Sequence, residues 1–199
     1  SHQFDVAERG FSTRFDSRLD MRMNQRDKIS AYEVVNEYAE ADLRSVFCQY
    51  GELKNAPKLA RLIVQERAEN PIETGDHLKE LLTPFLFKGK EFKILAQIYQ
   101  AIRIEVNQEI QVLKEFLQQT EEVLEPGGRI SLISYHSLED RLVKRYIRNG
   151  LFEGEPEKDV FGRVEVPFKK VGKLITPSKK EIEENNRARS AKLRIGERI

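Results

Sequence analysis

The segment Ser134-Tyr135-His136-Ser137-Leu138-Glu139-Asp140-Arg141-Leu142 joins two kinds of pattern. Before it, a Pro126-Gly127-Gly128 turn leads into a short apolar run, Ile130 to Ile133. After it, Arg141, Lys144, Arg145 and Arg148 recur along an amphipathic helical pattern. Turn, buried strand, polar crest and helix, in that order, is how open α/β sheets present side chains at the carboxyl ends of strands. Ser137 to Asp140 has the spacing of a helix N-terminus. The Ser137 hydroxyl is expected to accept a backbone N–H there, with both carboxylates at the positive end of the helix dipole. An ordinary strand-to-helix junction carries the same pattern, so it gives a fold class and no function.

The 199 residues suit one large domain, or a domain with an insertion, and are enough to bury a core. Charged residues make up 34% and hydrophobic ones 39%, the balance of a helix-rich soluble protein. No apolar run is long enough to span a bilayer and no signal-peptide pattern appears, which speaks against a membrane partner. Cys48 is the single cysteine; it cannot form an intrachain disulfide and is expected to be a small core residue of a helix. A reducing, cytoplasmic setting fits. His2, His77 and His136 lack ligand spacing, so no metal is expected.

Net charge is only +1, but its distribution is uneven. Arg9, Arg14, Arg18, Arg22 and Arg26 stand against Asp16 and Asp20, a local net of +3 made entirely by arginine. Arginine's planar fork suits bidentate recognition of phosphate or carboxylate. Ala31 to Thr83 carries a net of −4, and Ser178 to Ile199 returns to +3. An acidic middle between basic flanks suggests a peripheral subdomain beside a polyanion-binding face; local ion pairs on solvated helices are the alternative.

Residues 1–29 lack periodicity and read as a long ordered loop. Ser30 to Glu33 is a capping box that predicts one helix through Val34, Val35, Tyr38, Leu43, Val46 and Phe47, ended by Gly51. Pro57 can start a second helix, and Thr74 can cap a third that stops near Pro84. A single long helix is predicted from about Glu91 to Leu124 by the stripe Leu95, Ile98, Ile102, Val106, Ile110, Leu113, Leu117 and Leu124, which reads as core. After the strand at Arg129 to Ser134, the next helix should end at Asn149-Gly150. A charged loop over 151–168, a short strand at Lys173 to Thr176, a helical turn at Pro177 to Glu184 and a last strand at Ala191 to Ile195 complete the chain.

Five blocks occur in order: Asp5 to Ser12, Asp20-Met-Arg-Met23, Gln100 to Ile104 with Val106-Asn107, Gly127 to Arg141, and Asn186 to Arg194. Together they resemble the RsmH (MraW) family, S-adenosylmethionine-dependent methyltransferases that modify N4 of a cytidine in bacterial small-subunit (16S) ribosomal RNA. The resemblance implies the C-terminal part of an α/β, Rossmann-like class I methyltransferase with an inserted helical subdomain. On that basis 1–29 is the active-site loop and start of the insertion, 30–90 the inserted helices, and 91–199 the C-terminal part of the methyltransferase domain. Family members begin with a Gly-rich cofactor loop and several parallel strands, and nothing in these residues matches them. The chain is therefore expected to be the C-terminal two-thirds of such an enzyme, lacking its cofactor loop and inactive alone.

Residue by residue, the resemblance implies that Gln3 lines the methionine end of the S-adenosyl-L-methionine pocket. Arg22 either binds phosphate or orders its loop near the mouth of the site, and Arg103 and Asn107 hold that loop by hydrogen bonds. Ser134, His136 and Ser137 match the strand crest beside the target base, and Arg187 and Arg189 match the tail motif. Arg9, Arg14, Arg22, Arg187 and Arg189 form the expected RNA-binding set. Where the family commonly has a Thr-Arg pair, Ala96-Gln97 stands here, which removes any contact of that arginine.

Cytosine N4 is a poor nucleophile, so such an enzyme works mainly by positioning the amine and stabilising developing charge. The base must be splayed from its stack and read on its edge. Phe11, Ser12, Tyr135 and Ser137 are candidates to stack or hydrogen-bond. His136 either orients the base and carries a proton or ties the crest to the backbone. The resemblance implies a sheet order whose last three strands are adjacent, two of them antiparallel, and loss of the preceding strand is expected to open an edge at Ile130 to Ile133 to self-association. The competing function is a non-catalytic RNA- or protein-binding remnant. A DNA amino-methyltransferase is disfavoured because the Pro-Pro-aromatic motif of that class is missing.

Overall fold

Capping residues set the helices of the first half. In the computed structural model, which describes all residues except 1–5, 7, 8, 13–15, 158 and 163, Ser30 opens helix α1 (Ala31–Glu37). Its hydroxyl accepts the Tyr32 N–H at 3.2 Å, and Glu33 reaches back to the Ser30 N–H at 2.6 Å, the predicted capping box. The one helix expected to continue to Gly51 is instead two. Tyr38 is extended (φ −63°, ψ 142°), and α2 (Glu40–Gln49) starts afresh. The guanidinium of Arg67 explains the break: it takes the carbonyls of Val35 and Tyr38, acceptors a continuing helix would need.

Helix α3 (Ala56–Glu69) carries Pro57 in its first turn, and α4 (Gly75–Leu82) is capped by Thr74, whose Oγ1 accepts the His77 N–H at 3.3 Å; both follow the predicted signals. A 3₁₀ turn at Thr83–Phe85 follows. The predicted helix over 91–124 is a second correction. Helix α5 (Glu91–Val106) stops, Gln108 takes φ +50°, and α6 (Glu109–Val123) begins. Asn107 terminates α5 by turning its side-chain amide back to the Arg103 carbonyl at 2.8 Å. Phe47, Leu59, Ile63, Leu78, Ile98 and Ile102, all fully buried, centre the core of these helices. Cys48 is exposed, not core: Leu43, Val46 and Phe47 take the inward face of α2.

The chain divides into two compact units, Ser1–Glu109 and Ile110–Ile199. The second holds a three-stranded sheet. Strand β1 (Arg129–Ser134) is followed by helix α7 (Ser137–Asn149), β2 (Phe168–Ile175), α8 (Lys179–Glu184), a 3₁₀ turn (Asn186–Ser190) and β3 (Lys192–Arg198). The order is β1-β3-β2 with both pairs antiparallel, so the last strand lies in the middle. Strand β2 starts five residues before the predicted Lys173. It bends at a bulge between Val171 and Ile175, where Gly172 takes φ +65°. Ile130, Val143, Tyr146, Ile147 and Phe168 form the core, with the Tyr146 ring stacked on Phe152 at 4.6 Å between centroids. Gly150 ends α7 in the left-handed conformation (φ +68°), as predicted. Among the described residues, no helix is long and apolar enough to cross a membrane.

Candidate functional site

Each unit positions one of the sequence-predicted clusters. In the first, Asp20-Met-Arg-Met23 forms a tight loop around a buried Met21, which is fully covered and takes φ +58°. The Arg22 guanidinium is turned inward on its own loop. Nε and Nη2 donate to the two Asp20 carboxylate oxygens at 3.1 and 2.7 Å, and Nη1 donates to the Asp27 carbonyl at 2.9 Å. Burial would raise the Asp20 pKa, but the Arg22 hydrogen bonds and charge outweigh it and hold the carboxyl below its ordinary range. Arg9 braces the same loop, Nη2 donating to the carbonyls of Arg22 and Met23 at 2.7 and 3.1 Å.

Asn107 closes the arrangement. Its Nδ2 donates to the Met21 carbonyl at 2.8 Å and its Oδ1 accepts the Met23 N–H at 2.7 Å. The expectation that Asn107 holds the loop is met directly. Arg103 acts one step back, in a bidentate pair with Glu109 at 2.7 and 2.9 Å. Phe11, expected as a stacking residue, is 6% exposed and packs in the core, so its ring is not offered to a base. Gln3 and Arg14 lie outside the described residues.

The second cluster is the crest at the carboxyl end of β1. Ser134 is buried, Tyr135 and Ser137 are exposed, and the His136 side chain is 11% exposed. Here the sequence reading needs correction. His136, not Ser137, is the N-cap of α7: it is extended, its Nδ1 accepts the Glu139 N–H at 3.5 Å, and Ser137 is the first helical residue. Glu139 completes a capping box through Oε2, which accepts the Tyr135 N–H at 2.9 Å and the His136 N–H at 3.4 Å. With Nδ1 an acceptor, the neutral imidazole carries its proton on Nε2, which lies 3.3 Å from Glu139 Oε1 but out of line for a hydrogen bond. Burial pushes the Glu139 carboxyl up, but His136 and the backbone N–H donors hold it below the usual value.

One feature was missed from sequence. Asp140, 8% exposed, accepts from Arg194 Nε and Nη2 at 2.7 and 3.2 Å and from Lys192 Nζ at 3.1 Å. The tail motif thus clamps β3 to the start of α7, just below the crest, where Ser134 pairs with Lys192. The only signal was that Asp140 and Arg194 both fall in quoted motif blocks. Arg187 and Arg189 sit exposed on the 3₁₀ turn that precedes β3.

Comparison with known proteins bears on these clusters. A family model described as the MraW methylase family matches residues 1–199. A protein of Christiangramia forsetii named ribosomal RNA small subunit methyltransferase H is 74% identical over all of this chain. Proteins of the same name from Flavobacterium johnsoniae and Cytophaga hutchinsonii are 68% and 52% identical, again over the whole chain. The chain spans about two-thirds, 66%, of the length of each of these relatives. Its two motif-bearing clusters lie within the matched residues, and the chain belongs to the MraW methylase family.

Proposed function

We propose that this chain is part of an enzyme that methylates the N4 amine of a cytidine in bacterial 16S rRNA, in the small ribosomal subunit, with S-adenosylmethionine as methyl donor. The observation that carries the reading is the relatives' name, ribosomal RNA small subunit methyltransferase H, at up to 74% identity across every residue. The geometry supports it through the crest. Tyr135 and Ser137 are exposed at the carboxyl end of a strand, where α/β enzymes place substrates, and a capping box fixes the backbone between them. In this reading Ser134, His136 and Ser137 present the base, with His136 as a positioning residue that sets the crest. Helices over 30–90 form a subdomain inserted in the methyltransferase fold, and the edge of β1 that no described strand covers is a surface for self-association of this chain alone. The setting is the cytoplasm.

The arginines divide their work. Arg9, through Nη2, and Arg22, through Nε, Nη1 and Nη2, donate to the loop and act by shaping it. Arg187 and Arg189, exposed on the tail turn, and Arg14 take phosphate. The described residues do not by themselves fit the cofactor: no glycine with positive φ lies between a strand and the helix after it. Gln3 is assigned to the methionine end of the pocket by the family motif alone.

The test is to incubate the full-length protein with small ribosomal subunits and isotopically labelled methyl donor, then digest the RNA to nucleosides. Labelled N4-methylcytidine from 16S rRNA is expected. Label on another base, or none on RNA, overturns the reading.

A further inference from the structure

The second unit carries a groove of about 410 Å³ formed by α7, β2 and β3, and its charge is one-sided. Lys144, Arg148, Lys169, Lys170, Lys173 and Arg194 line it, and among the described residues no Asp or Glu does. In a chain whose net charge is +1, such a concentration is a local property and not a reflection of composition. Two of the six cations are committed: Arg194 to Asp140, and Lys169 to Glu197 at 2.7 Å. Lys144, Arg148, Lys170 and Lys173 have no carboxylate partner among the described residues.

Local structure aims these four. Lys144 and Arg148 are four residues apart on α7 and share a face. The bulge at Gly172 breaks the pairing of β2 with β3 between Val171 and Ile175, which turns Lys173 and Leu174 out of the regular alternation. The aliphatic side chains of Val171, Leu174 and Ile195 also line the groove, so it offers apolar contact between its charges.

We propose that this groove is a docking track for the sugar–phosphate backbone of single-stranded rRNA flanking the methylated cytidine. Unpaired cations set along two elements suit a chain of regularly spaced phosphates, and aliphatic patches between them suit the faces of sugars and unstacked bases. The inference rests on the reading of the protein as an rRNA methyltransferase, and extends it to a surface whose lining includes neither Arg187 nor Arg189.

Two double variants of the full-length protein test it, Lys144→Gln/Arg148→Gln and Lys170→Gln/Lys173→Gln, with Lys170→Arg/Lys173→Arg as the charge-conserving control. Binding to a single-stranded 16S rRNA fragment spanning the methylated cytidine, and to intact small subunits, is measured across salt concentration, with melting temperature as the folding control. Each glutamine pair is expected to weaken binding on the order of tenfold at low salt and to flatten the log–log salt slope by about 1.4, while the arginine pair keeps both. Unchanged slope and affinity in both glutamine variants, with the parent protein still methylating rRNA, overturn the groove and leave the proposed function standing. Loss of binding to subunits but not to the naked fragment overturns RNA as the occupant in favour of an acidic ribosomal protein. A parent protein that neither binds nor methylates rRNA removes the reading on which the inference stands.

Discussion

Asp140 shows what a single residue contributes and how little of it the chain order reveals. Its partners Lys192 and Arg194 lie more than fifty positions away, so no local spacing announced the clamp, whereas the Asn107 contacts were legible from a motif. Burial alone would raise the Asp140 pKa, but Arg194 and Lys192 hold it below the ordinary 3.8. A depressed carboxyl contributes stability that is complete above its unfolded value and is lost as pH falls through its folded one. Asp140→Asn is therefore expected to lower stability by ~2–3 kcal/mol at neutral pH, with Lys192 part-exposed and the cost correspondingly moderated. The gap between parent and variant should close as pH drops below about 4, which thermal melts across pH will check. Asn107→Ala leaves the Met21 carbonyl and the Met23 N–H without their partner and should cost ~1–3 kcal/mol. Faster hydrogen exchange at the Met23 amide, with that of α1 unchanged, is the sign that the loop alone has loosened. His136→Ala removes the α7 cap and should cost about 1 kcal/mol. If His136 positions the crest, single-turnover methylation falls while subunit binding holds; a lower melting temperature with unchanged methylation makes it structural only.

At the scale of elements, local signals were readable and interruptions were not. Ser30, Thr74 and Gly150 mark helix ends by chemistry confined to a few neighbouring residues, and each stands where its spacing put it. The breaks at Tyr38 and at Asn107-Gln108 left no such mark because the apolar period runs on through both. What stops α1 is Arg67, contributed by another helix, and what stops α5 is the side chain of Asn107. Ser137 looked like the cap because serine so often is one, and the imidazole one position earlier took that role. Gly150 gives the sharpest test of an element boundary. A Cβ there would sit 2.8 Å from Cδ of Pro167 on a backbone at φ +68°. Gly150→Ala should cost at least ~1–2 kcal/mol from the left-handed conformation alone, and more from the clash, read as a lower urea midpoint at unchanged m-value.

Across the whole molecule, the family was readable from five ordered blocks, while the boundary between the two compact units left no mark in the sequence. Residues matching in order need no knowledge of contacts, but one compact unit ends at Glu109 and the other begins at Ile110, inside what reads as one helical stripe. The described residues supply no nucleoside cradle, so the 199-residue chain is expected to bind S-adenosylmethionine at least a hundredfold more weakly than a full-length relative, on the order of 3 kcal/mol. Calorimetric titration of both decides it, and micromolar affinity in the shorter protein would mean the pocket has been misplaced. The strand order has a further consequence for how the chain is made. Because β3 lies between β1 and β2, neither can make its pairing with it until Lys192–Arg198 has left the ribosomal exit tunnel. Synthesis therefore delivers the keystone of this sheet after both of its flanks. A nascent chain stalled at Ala191 would hold β1 and β2 without the strand that joins them to each other, a moment at which protease or chaperone can act before the fold closes.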